Sequence, residues 1–455
     1  MMIRTLLAAT FATLILAGQA SAQMGNEPSR PDPAFACHVG LYRLADGTLI
    51  DVAPVDGPGG RWRLIDGRTG RMRQDASGAW TGTEGWTDRP AALQASFGDC
   101  TTADRMTFDG REARRVDLPT IDVPFTSADG TRLAGRLILP PGAGPAPIMI
   151  EVHGSEASAA LDYNWFQRLA PASGVGVFVY DKRGTGGSGG TYGQNFDLLA
   201  TDAAAAVTAA RRAAGARAGR VGLHGGSQGG WVAPLAATKV PVDFVTIGFG
   251  MAEGVLAEER GEIHDSLADK GWGPDVLAEA EKIFTVTTAF VSSNGAVGFA
   301  DLDAVRARYG AEPWFKDIGG DFTPMLLKSS NEEITALLAQ IQWGIMWDYD
   351  PLPTLRGLDV PMLWILAAND TEAPMEGTRE RLTALAAEGR PVTVVQYPDA
   401  DHGIVQFEPG PDGTRIETRY SDGYVQAVLD WAAYGALRHD LGRGEVLARP
   451  AGGRR

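Results

Sequence analysis

The sequence predicts an α/β protein in which a doubly wound, mostly parallel sheet carries a helical cap insertion and follows a small β-rich N-terminal domain. Three observations lead to this prediction. Short apolar strands alternate with helical segments beyond residue 118, which is typical of parallel sheets covered on both faces. Residues 251–358 interrupt this alternation with a mainly helical pattern. Residues 34–118 instead have turn residues at short intervals, as in antiparallel β structure.

Residues 1–22 have the pattern of a secretory signal peptide. Arg4 supplies the positive start, an apolar run covers residues 6–17, and Ala20 and Ala22 form a small-residue cleavage site. The run is shorter than the roughly 20 residues that a bilayer span requires. We therefore expect a secreted or periplasmic protein with a cleaved signal and no stable membrane anchor, and an uncleaved anchor is the alternative.

Residues 34–118 are predicted to form the antiparallel β domain. Cys37 and Cys100 both lie there, and in an oxidising compartment we expect them to form a disulfide. The bridge would contribute about 4 kcal/mol on the chain-entropy model, and two buried free thiols are the alternative. Three tryptophans of this domain could form a carbohydrate or peptide platform, but core packing is favoured: Trp62, Trp80 and Trp86.

The predicted core covers residues 119–250 and 359–438, and residues 439–455 are assigned to a tail. The core begins with a hairpin around Asp129-Gly130. The apolar strands that follow are predicted at 148–152, 175–180, 220–223, 244–247, 362–366 and 392–397. The helices between them are predicted at 162–172, 198–213, 229–238, 378–387 and 423–437.

The cap over residues 251–358 has several large aromatic residues. They either line a substrate pocket or hold the cap to the sheet, and the sequence favours neither interpretation. The four tryptophans concerned are Trp272, Trp314, Trp343 and Trp347.

Composition and charge exclude some classes of function. The chain has 455 residues and a formal net charge of −15, so its surface repels phosphate backbones and a nucleic-acid partner is not expected. No cluster of His, Cys and carboxylate residues has metal-ligand spacing. We expect neither a metal nor a cofactor, and the oligomeric state is not set by the sequence.

Two segments match Gly-x-Ser-x-Gly, centred on Ser227 and Ser188. A nucleophile elbow needs a strand, a tight turn and a helix, and only Ser227 has a strand pattern before it and a helix pattern after it. The residues after Ser188 are too rich in glycine to start a helix. Ser227 is therefore the predicted nucleophile.

The loop around Ser188 also matches Gly-x-Gly-x-x-Gly, the pattern of a dinucleotide site. That pattern binds a pyrophosphate at a helix that opens inside the motif, whereas here the next helix is predicted only from residue 198. The acidic residue at the expected distance, Asp202, lies within that helix. A nucleotide site is not favoured.

A serine nucleophile needs a base, and the base needs a carboxylate that sets its tautomer. Asp370 follows one late strand and His402 follows the next, in the order Ser, Asp, His. Glu372 and Asp401 are alternative acids. The predicted catalytic residues are Ser227, Asp370 and His402.

The predicted oxyanion hole uses backbone amides, because attack on a carbonyl creates a negatively charged oxygen. One donor is the amide of Gln228, directly after the nucleophile. The other is the amide of Ser155, in the turn His153-Gly154-Ser155 that follows the first parallel strand.

Together these motifs resemble those of secreted α/β-hydrolase fold serine hydrolases of the carboxylesterase type. The resemblance covers about residues 119–437 and includes the loop Asp181-Lys182-Arg183-Gly184. It implies that Asp181 and Arg183 brace a structural turn beside the site, which accounts for the second Gly-x-Ser-x-Gly.

The sequence thus predicts hydrolysis of carboxylic esters outside the cytoplasm through an acyl-enzyme on Ser227. The substrate would be a small ester or a short peptide, since a proline-directed aminopeptidase on the same fold is the alternative. Such a peptidase needs carboxylates for the substrate amine. Four glutamates at the start of the cap could supply them, although a solvated helix face is favoured: Glu253, Glu258, Glu259 and Glu262. A non-catalytic binding protein is a third, less favoured, interpretation.

Overall fold

The computed structural model describes residues 31–340, 344–411 and 414–451. The predicted signal peptide and Trp343 lie outside these residues. In the described part of the chain, no helix combines the length and the apolar character needed to cross a bilayer.

The N-terminal domain is one antiparallel sheet of eight strands in the order β5-β4-β3-β2-β1-β8-β7-β6. Its strands are β1 (Gly40–Leu44), β2 (Leu49–Pro54), β3 (Gly60–Arg63), β4 (Thr69–Gln74), β5 (Trp80–Glu84), β6 (Ala95–Phe97), β7 (Arg105–Phe108) and β8 (Arg111–Arg115).

The two cysteines of this domain form the predicted disulfide. It joins the 3-10 turn Ala36–His38 to the 3-10 turn Cys100–Thr102, 63 residues apart in sequence. Closing a loop of this length stabilises the fold by about 4 kcal/mol on the chain-entropy model.

Core packing explains the tryptophans of the N-terminal domain better than a ligand platform does. Trp62 is 3% exposed and packs edge-on against Phe108. Trp80 packs against Phe97. Trp86 is partly exposed, but the Arg61 guanidinium lies 4.2 Å above its ring.

The second domain is built on a nine-stranded sheet in the order β22-β18-β17-β16-β15-β13-β14-β12-β9. Strands β14, β13, β15, β16, β17 and β18 run parallel. Strand β12 pairs antiparallel with β14 and with the edge strand β9, and the other edge strand, β22, pairs antiparallel with β18. The bounds are β9 (Thr120–Asp122), β10 (Phe125–Thr126), β11 (Arg132–Leu133), β12 (Gly135–Ile138), β13 (Ala146–Val152), β14 (Gly176–Tyr180), β15 (Ala218–Gly226), β16 (Val245–Gly248), β17 (Met362–Ala367), β18 (Val392–Tyr397), β19 (Ala400–Asp401), β20 (Val405–Pro409), β21 (Arg415–Tyr420) and β22 (Glu445–Ala448).

Helices cover both faces of this sheet, which confirms the predicted α/β architecture. They are α1 (Ala160–Tyr163), α2 (Phe166–Ala172), α3 (Phe196–Ala214), α4 (Gly229–Lys239), α10 (Leu352–Gly357), α11 (Glu376–Ala387) and α12 (Tyr424–Tyr434). One apolar core forms under α3, α4 and α11, and another under α2 and α12. The sheet is therefore buried on both sides, as parallel sheets require.

The cap consists of helices between β16 and β17. They are α5 (Val255–Asp269), α6 (Pro274–Ser292), α7 (Phe299–Tyr309), α8 (Thr323–Lys328) and α9 (Asn331–Gln340). Trp314 and Trp272 pack within the cap's own core, and Trp347 packs against Phe322. These tryptophans hold the cap together.

Three features differ from the sequence prediction. Helix α10 lies inside the predicted cap bounds, residues 251–358, but packs on the apolar core of the sheet. The segment assigned to a tail contributes β22, which pairs with β18. This strand lacks an apolar alternation because it is a mostly exposed edge strand. The sequence also provided no sign of the three-stranded sheet β19-β20-β21, in which β19 directly precedes His402 and the partly buried strands β20 and β21 follow it.

The N-terminal domain contacts that small sheet. The Trp86 amide donates a hydrogen bond to the Glu417 carbonyl at 3.1 Å, and the Tyr420 amide donates to the Gly67 carbonyl at 3.0 Å. Asp51, which is fully buried, pairs with Arg168 of α2. The domain therefore packs on the core and on the sheet that follows His402.

Candidate active site

Ser227 lies in a tight turn between the carboxyl end of β15 and the start of α4. Its φ of 51° is in the left-handed region, which costs a residue with a side chain about 1–2 kcal/mol. The Ser227 amide donates to the Gly248 carbonyl at 3.1 Å, and the Gly230 amide donates to the Ser227 carbonyl at 2.7 Å. These bonds hold the geometry of a nucleophile elbow.

Close packing around the elbow explains its glycines. A Cβ on Gly226 would lie 2.7 Å from the ring of Phe249, and one on Gly229 would lie 2.9 Å from the Val152 carbonyl oxygen. The Phe249 ring also packs edge-on against His402, with 4.8 Å between the ring centroids. Phe249, which sequence reasoning missed, therefore contacts both the elbow and His402.

His402 and Asp370 form a buried pair. Both carboxylate oxygens of Asp370 lie 3.0 Å from His402 Nδ1. The Asp370 side chain is fully buried, and it also accepts the amides of Glu372 and Ala373 at 3.1 and 2.8 Å. In the neutral ring, this pairing places the proton on Nδ1 and leaves Nε2 as an acceptor.

The structure records no hydrogen bond between the Ser227 hydroxyl and His402 among the residues that it describes. A bond between nucleophile and base often tightens only when substrate binds. Phe249 packs against His402 and lies beside Gly226, the residue before Ser227, so Ser227 and His402 lie at the same edge of the sheet.

The alternative acids occupy other positions around His402. Asp401 accepts the backbone amides of His402 and Thr371 at 2.9 and 3.0 Å, and it pairs with Arg415 at 2.7 Å. Its carboxylate therefore ties the loop of the acid to the loop of the base. Glu372 Oε2 lies 3.6 Å from His402 Nε2, on the opposite side of the ring from Asp370.

The predicted oxyanion turn lies against the elbow. A Cβ on Gly154 would be 3.5 Å from Ser227 Cβ. Within the described ranges, the amides of Ser155 and Gln228 donate no hydrogen bond to protein, so both are free to bind an oxyanion.

Lys182 holds this turn, a role that the sequence alone does not reveal. Its Nζ donates to the carbonyls of Gly154 and Glu156 at 2.6 and 2.9 Å. Burial lowers the pKa of Lys182 to about 8. The sequence does show a lysine within the Asp-x-Arg-Gly loop. It does not show that this lysine binds Gly154 and Glu156, which lie far away along the chain.

The loop that contains Ser188 is structural. Ser188 Oγ donates to the Asp181 carbonyl at 2.6 Å and accepts the Ala134 amide at 2.9 Å. The Arg183 guanidinium binds both oxygens of Asp202 at 2.7 Å. These side chains serve the turn itself, so neither a second nucleophile nor a nucleotide site is supported there.

The prediction that four glutamates form one solvated helix face is wrong. Glu259 is 1% exposed and accepts three backbone amides of residues 321–323 at 2.7 to 3.2 Å. Glu262 is 9% exposed. Glu253 lies 3.6 Å from Arg381, and Glu258 lies close enough to His402 to interact with it electrostatically. The cap folds over the sheet edge, and this turns the helix face inward.

The charges around His402 alter its titration. Burial opposes protonation of the ring, but Asp370, followed by Glu372 and Glu258, outweighs burial and raises the pKa of His402 to about 9. Burial raises the pKa of Glu372 to about 7, with neighbouring carboxylates adding to the effect. The imidazole is therefore held in its charged form by an acidic environment.

The fold and this site define the class of the protein. A doubly wound sheet with a strand-turn-helix serine, a buried Asp-His pair and free amides beside the serine belongs to a hydrolase of the esterase or peptidase type on the α/β-hydrolase fold. The chain belongs to the X-Pro dipeptidyl-peptidase (S15) family, whose model matches residues 129–402.

Individual proteins are similar over much of the chain. Thiohydrolase aneE of Aspergillus aculeatus is 26% identical over 297 residues, which are 62% of this chain and 86% of that protein. An esterase of Pyrococcus furiosus is 17% identical with a TM-score of 0.40, covering 63% of this chain and 84% of that one. The acylaminoacyl peptidase of Pyrococcus horikoshii is 16% identical with a TM-score of 0.38, covering 80% of this chain and 51% of that one.

Replacing Asp401 should slow the reaction of the candidate nucleophile. Asp401→Asn removes the charge that binds Arg415 and disturbs the acceptors for the Thr371 and His402 amides, so His402 loses its position. We expect labelling of Ser227 by a fluorophosphonate to slow by about tenfold or more. The rate is measured by quantifying the labelled peptide over time.

Asp359→Asn is the matched control. It removes an Asp–Arg pair of the same 2.7 Å length, formed with Arg390 on the protein surface. Labelling should proceed at the parent rate in this variant. Equal labelling rates in the parent protein and Asp401→Asn would contradict the positioning role.

Proposed function

We propose that this hydrolase cleaves carboxylic esters through an acyl-enzyme on Ser227. The observation that carries the proposal is the elbow itself. A serine held at a left-handed turn, beside the unbonded amides of Ser155 and Gln228, is arranged for attack on a carbonyl. The His402–Asp370 pair at the same sheet edge supplies a base.

In the proposed reaction, His402 Nε2 removes the proton from Ser227 Oγ as that oxygen attacks the ester carbonyl carbon. The amides of Gln228 and Ser155 stabilise the oxyanion. The protonated Nε2 then donates its proton to the departing alkoxide, and the C–O bond breaks. Water, deprotonated by His402, attacks the acyl-enzyme, and the proton returns to Ser227 as the acid leaves.

A serine peptidase that removes residues from a free N-terminus is the second candidate. The match to the X-Pro dipeptidyl-peptidase family model favours it. The same acyl-enzyme chemistry applies, with an amine as the leaving group. A non-catalytic binding protein has less support, because the buried Asp-His pair and both free amides have no evident role without chemistry.

We also propose that the protein acts outside the cytoplasm. The disulfide between Cys37 and Cys100 supports this location, since disulfides persist mainly in oxidising compartments. The signal-peptide pattern of residues 1–22 supports it independently.

Ser227→Ala should abolish turnover. The test compares one acyl group presented as a nitrophenyl ester and as a nitroanilide, with Ala-Pro nitroanilide added for the peptidase. We expect the parent to favour the ester and Ser227→Ala to cleave neither substrate above background. Peptide mass spectrometry should locate a fluorophosphonate label on Ser227.

Ser188→Ala is the matched control, because Ser188 occupies the other Gly-x-Ser-x-Gly. It should retain the label on Ser227. Faster cleavage of Ala-Pro nitroanilide than of the ester would transfer the assignment to the peptidase. Unchanged turnover in Ser227→Ala would refute the mechanism.

The ester activity should rise with pH. Only neutral His402 can accept the Ser227 proton, and its pKa is raised to about 9, so kcat/KM should increase from pH 7 to 9. Glu372→Gln removes a negative charge 3.6 Å from Nε2 and destabilises the charged ring. The midpoint of the profile should then move to lower pH by about one pH unit.

Glu332→Gln makes the same charge change on an exposed part of the cap, and its pH profile should match that of the parent. A midpoint that stays in place in Glu372→Gln would show that Glu372 does not act on His402.

We expect the signal peptide, residues 1–22, to be cleaved on export. When the full chain is produced in a bacterium with a periplasm, we expect the mature protein in the extracytoplasmic fraction with Gln23 as its first residue. Intact-mass measurement and N-terminal sequencing read this out. A cytoplasmic product that retains Met1 would contradict the proposed location.

A further inference from the structure

An acidic cavity opens between the cap and the loop that follows β17. Its volume is about 290 Å³. Its walls come from α5, the turn before α8 and the loop that begins at Asp370. Five carboxylates line it: Glu262, Asp265, Asp269, Asp321 and Glu372.

Among the residues that the structure describes, no lysine, arginine or histidine lines the cavity. Among the described residues, none of the carboxylates at Glu262, Asp265, Asp269 and Asp321 pairs with a lysine or arginine. The charged groups that act most strongly on Glu262 are Asp321, Glu258, Glu259 and Glu372, and all are acidic. The positive groups acting on this set are His402, which affects Glu372 and Asp321, and His264, which affects Asp265.

Glu262 supplies the second, independent indication of a ligand. The residue is 9% exposed, and its Oε2 is buried without a hydrogen-bond partner among the described residues. A buried acceptor without a partner costs about 1–3 kcal/mol. Glu259, one turn away on the same helix, is instead saturated by backbone amides. Glu262 is thus an open acceptor in the cavity wall.

The cavity adjoins the part of the site where the leaving group departs. Glu372 lines the cavity and lies 3.6 Å from His402 Nε2. In the proposed mechanism, that nitrogen hands its proton to the leaving group. The cavity therefore lies beside the leaving group, while the oxyanion turn held by Lys182 packs against the elbow.

We propose that this cavity binds a primary ammonium or guanidinium group carried on the leaving-group side of the substrate. The inference rests on the proposed ester hydrolysis by Ser227. A donor-rich cation satisfies the open oxygen of Glu262 and offsets the charges of Glu372 and Asp321. An N–H donor to a carboxylate forms one of the stronger hydrogen bonds in proteins.

The spread of the carboxylates favours an organic cation over a metal ion. Glu262, Asp265 and Asp269 follow one face of α5 at spacings of three and four residues, along about 10 Å of helix. Within the described chain, no three of the cavity's carboxylates bring oxygens within 4.8 Å of one another. A flexible chain with a terminal cation fits this extended wall better.

Titration of the glutamates is coupled to cation binding. Burial, followed by the neighbouring carboxylates, raises the pKa of Glu262 to about 11 and raises the pKa of Glu258 strongly. A bound cation favours the ionised carboxylates. It also opposes the charged form of His402, so a cationic substrate lowers the pKa of the base that deprotonates Ser227.

The test compares 5-aminopentyl acetate with hexyl acetate, in which a methyl group replaces the ammonium. Acid release is followed in the presence of a chelator at pH 7.5. We expect the parent protein to prefer the amino ester by about tenfold or more in kcat/KM, the value of a charge-assisted hydrogen bond. Glu262→Gln should reduce this preference about tenfold, and Asp321→Asn is the second variant.

Glu332→Gln is the control, since this exposed glutamate lies elsewhere on the cap, and both of its rates should match the parent. A parent that cleaves hexyl acetate without preferring the amino ester would overturn the proposal. So would an undiminished preference in Glu262→Gln or Asp321→Asn.

Binding to the Ser227→Ala protein separates this proposal from the proposed reaction. Calorimetry should detect free 5-aminopentanol and should find weaker binding of 1-hexanol. If neither ester is hydrolysed by the parent but 5-aminopentanol still binds, ester hydrolysis fails and the cation site stands. Equal binding of the two alcohols would refute the cation site whatever the enzyme cleaves.

Discussion

Left-handed backbone at the sheet edge is the constraint on which the rest of the site depends. Ser227, Phe249 and Ile404 all have positive φ, at 51°, 43° and 56°, although each has a side chain. They lie after β15, after β16 and beside His402, so the strain is concentrated around the candidate nucleophile and base. Such strain persists only when surrounding contacts determine it. Here the Ser227–Gly248 hydrogen bond and the packing of Phe249 against Gly226 and His402 provide those contacts.

Charge around His402 is the second determinant of the site. Asp370 binds His402 Nδ1 and so orients the ring. Glu372 and Glu258 lie elsewhere around the ring and stabilise its charged form. A hydrolase that needs a neutral base near pH 7 is not helped by these glutamates. They become useful when the substrate brings a positive charge, because that charge offsets them at the moment of binding. The charge of the acidic cavity and the pKa of His402 are thus coupled.

The N-terminal domain contributes to the position of the base. It hydrogen-bonds to β21 through Gly67 and Trp86, and β21 supplies Arg415, which binds Asp401. Asp401 in turn accepts the amides of Thr371 and His402. A continuous set of contacts therefore runs from the disulfide-bonded β domain to the loops of both Asp370 and His402. This gives the domain a structural role in the site.

Local patterns in the sequence determined the parallel sheet, the elbow at Ser227 and the strand ends at Asp370 and His402. Each of these features depends on residues that are close together along the chain. The residues concerned form apolar strands, glycine-rich tight turns, or polar positions directly after a strand. Only the tertiary structure decided that Asp370, and neither Asp401 nor Glu372, binds His402 Nδ1. It alone revealed that Lys182 holds the oxyanion turn, that residues 445–448 form an edge strand, and that Glu258 and Glu262 face inward. Those features depend on burial and on contacts between residues far apart in sequence, which arise only when the cap and the β domain pack against the sheet.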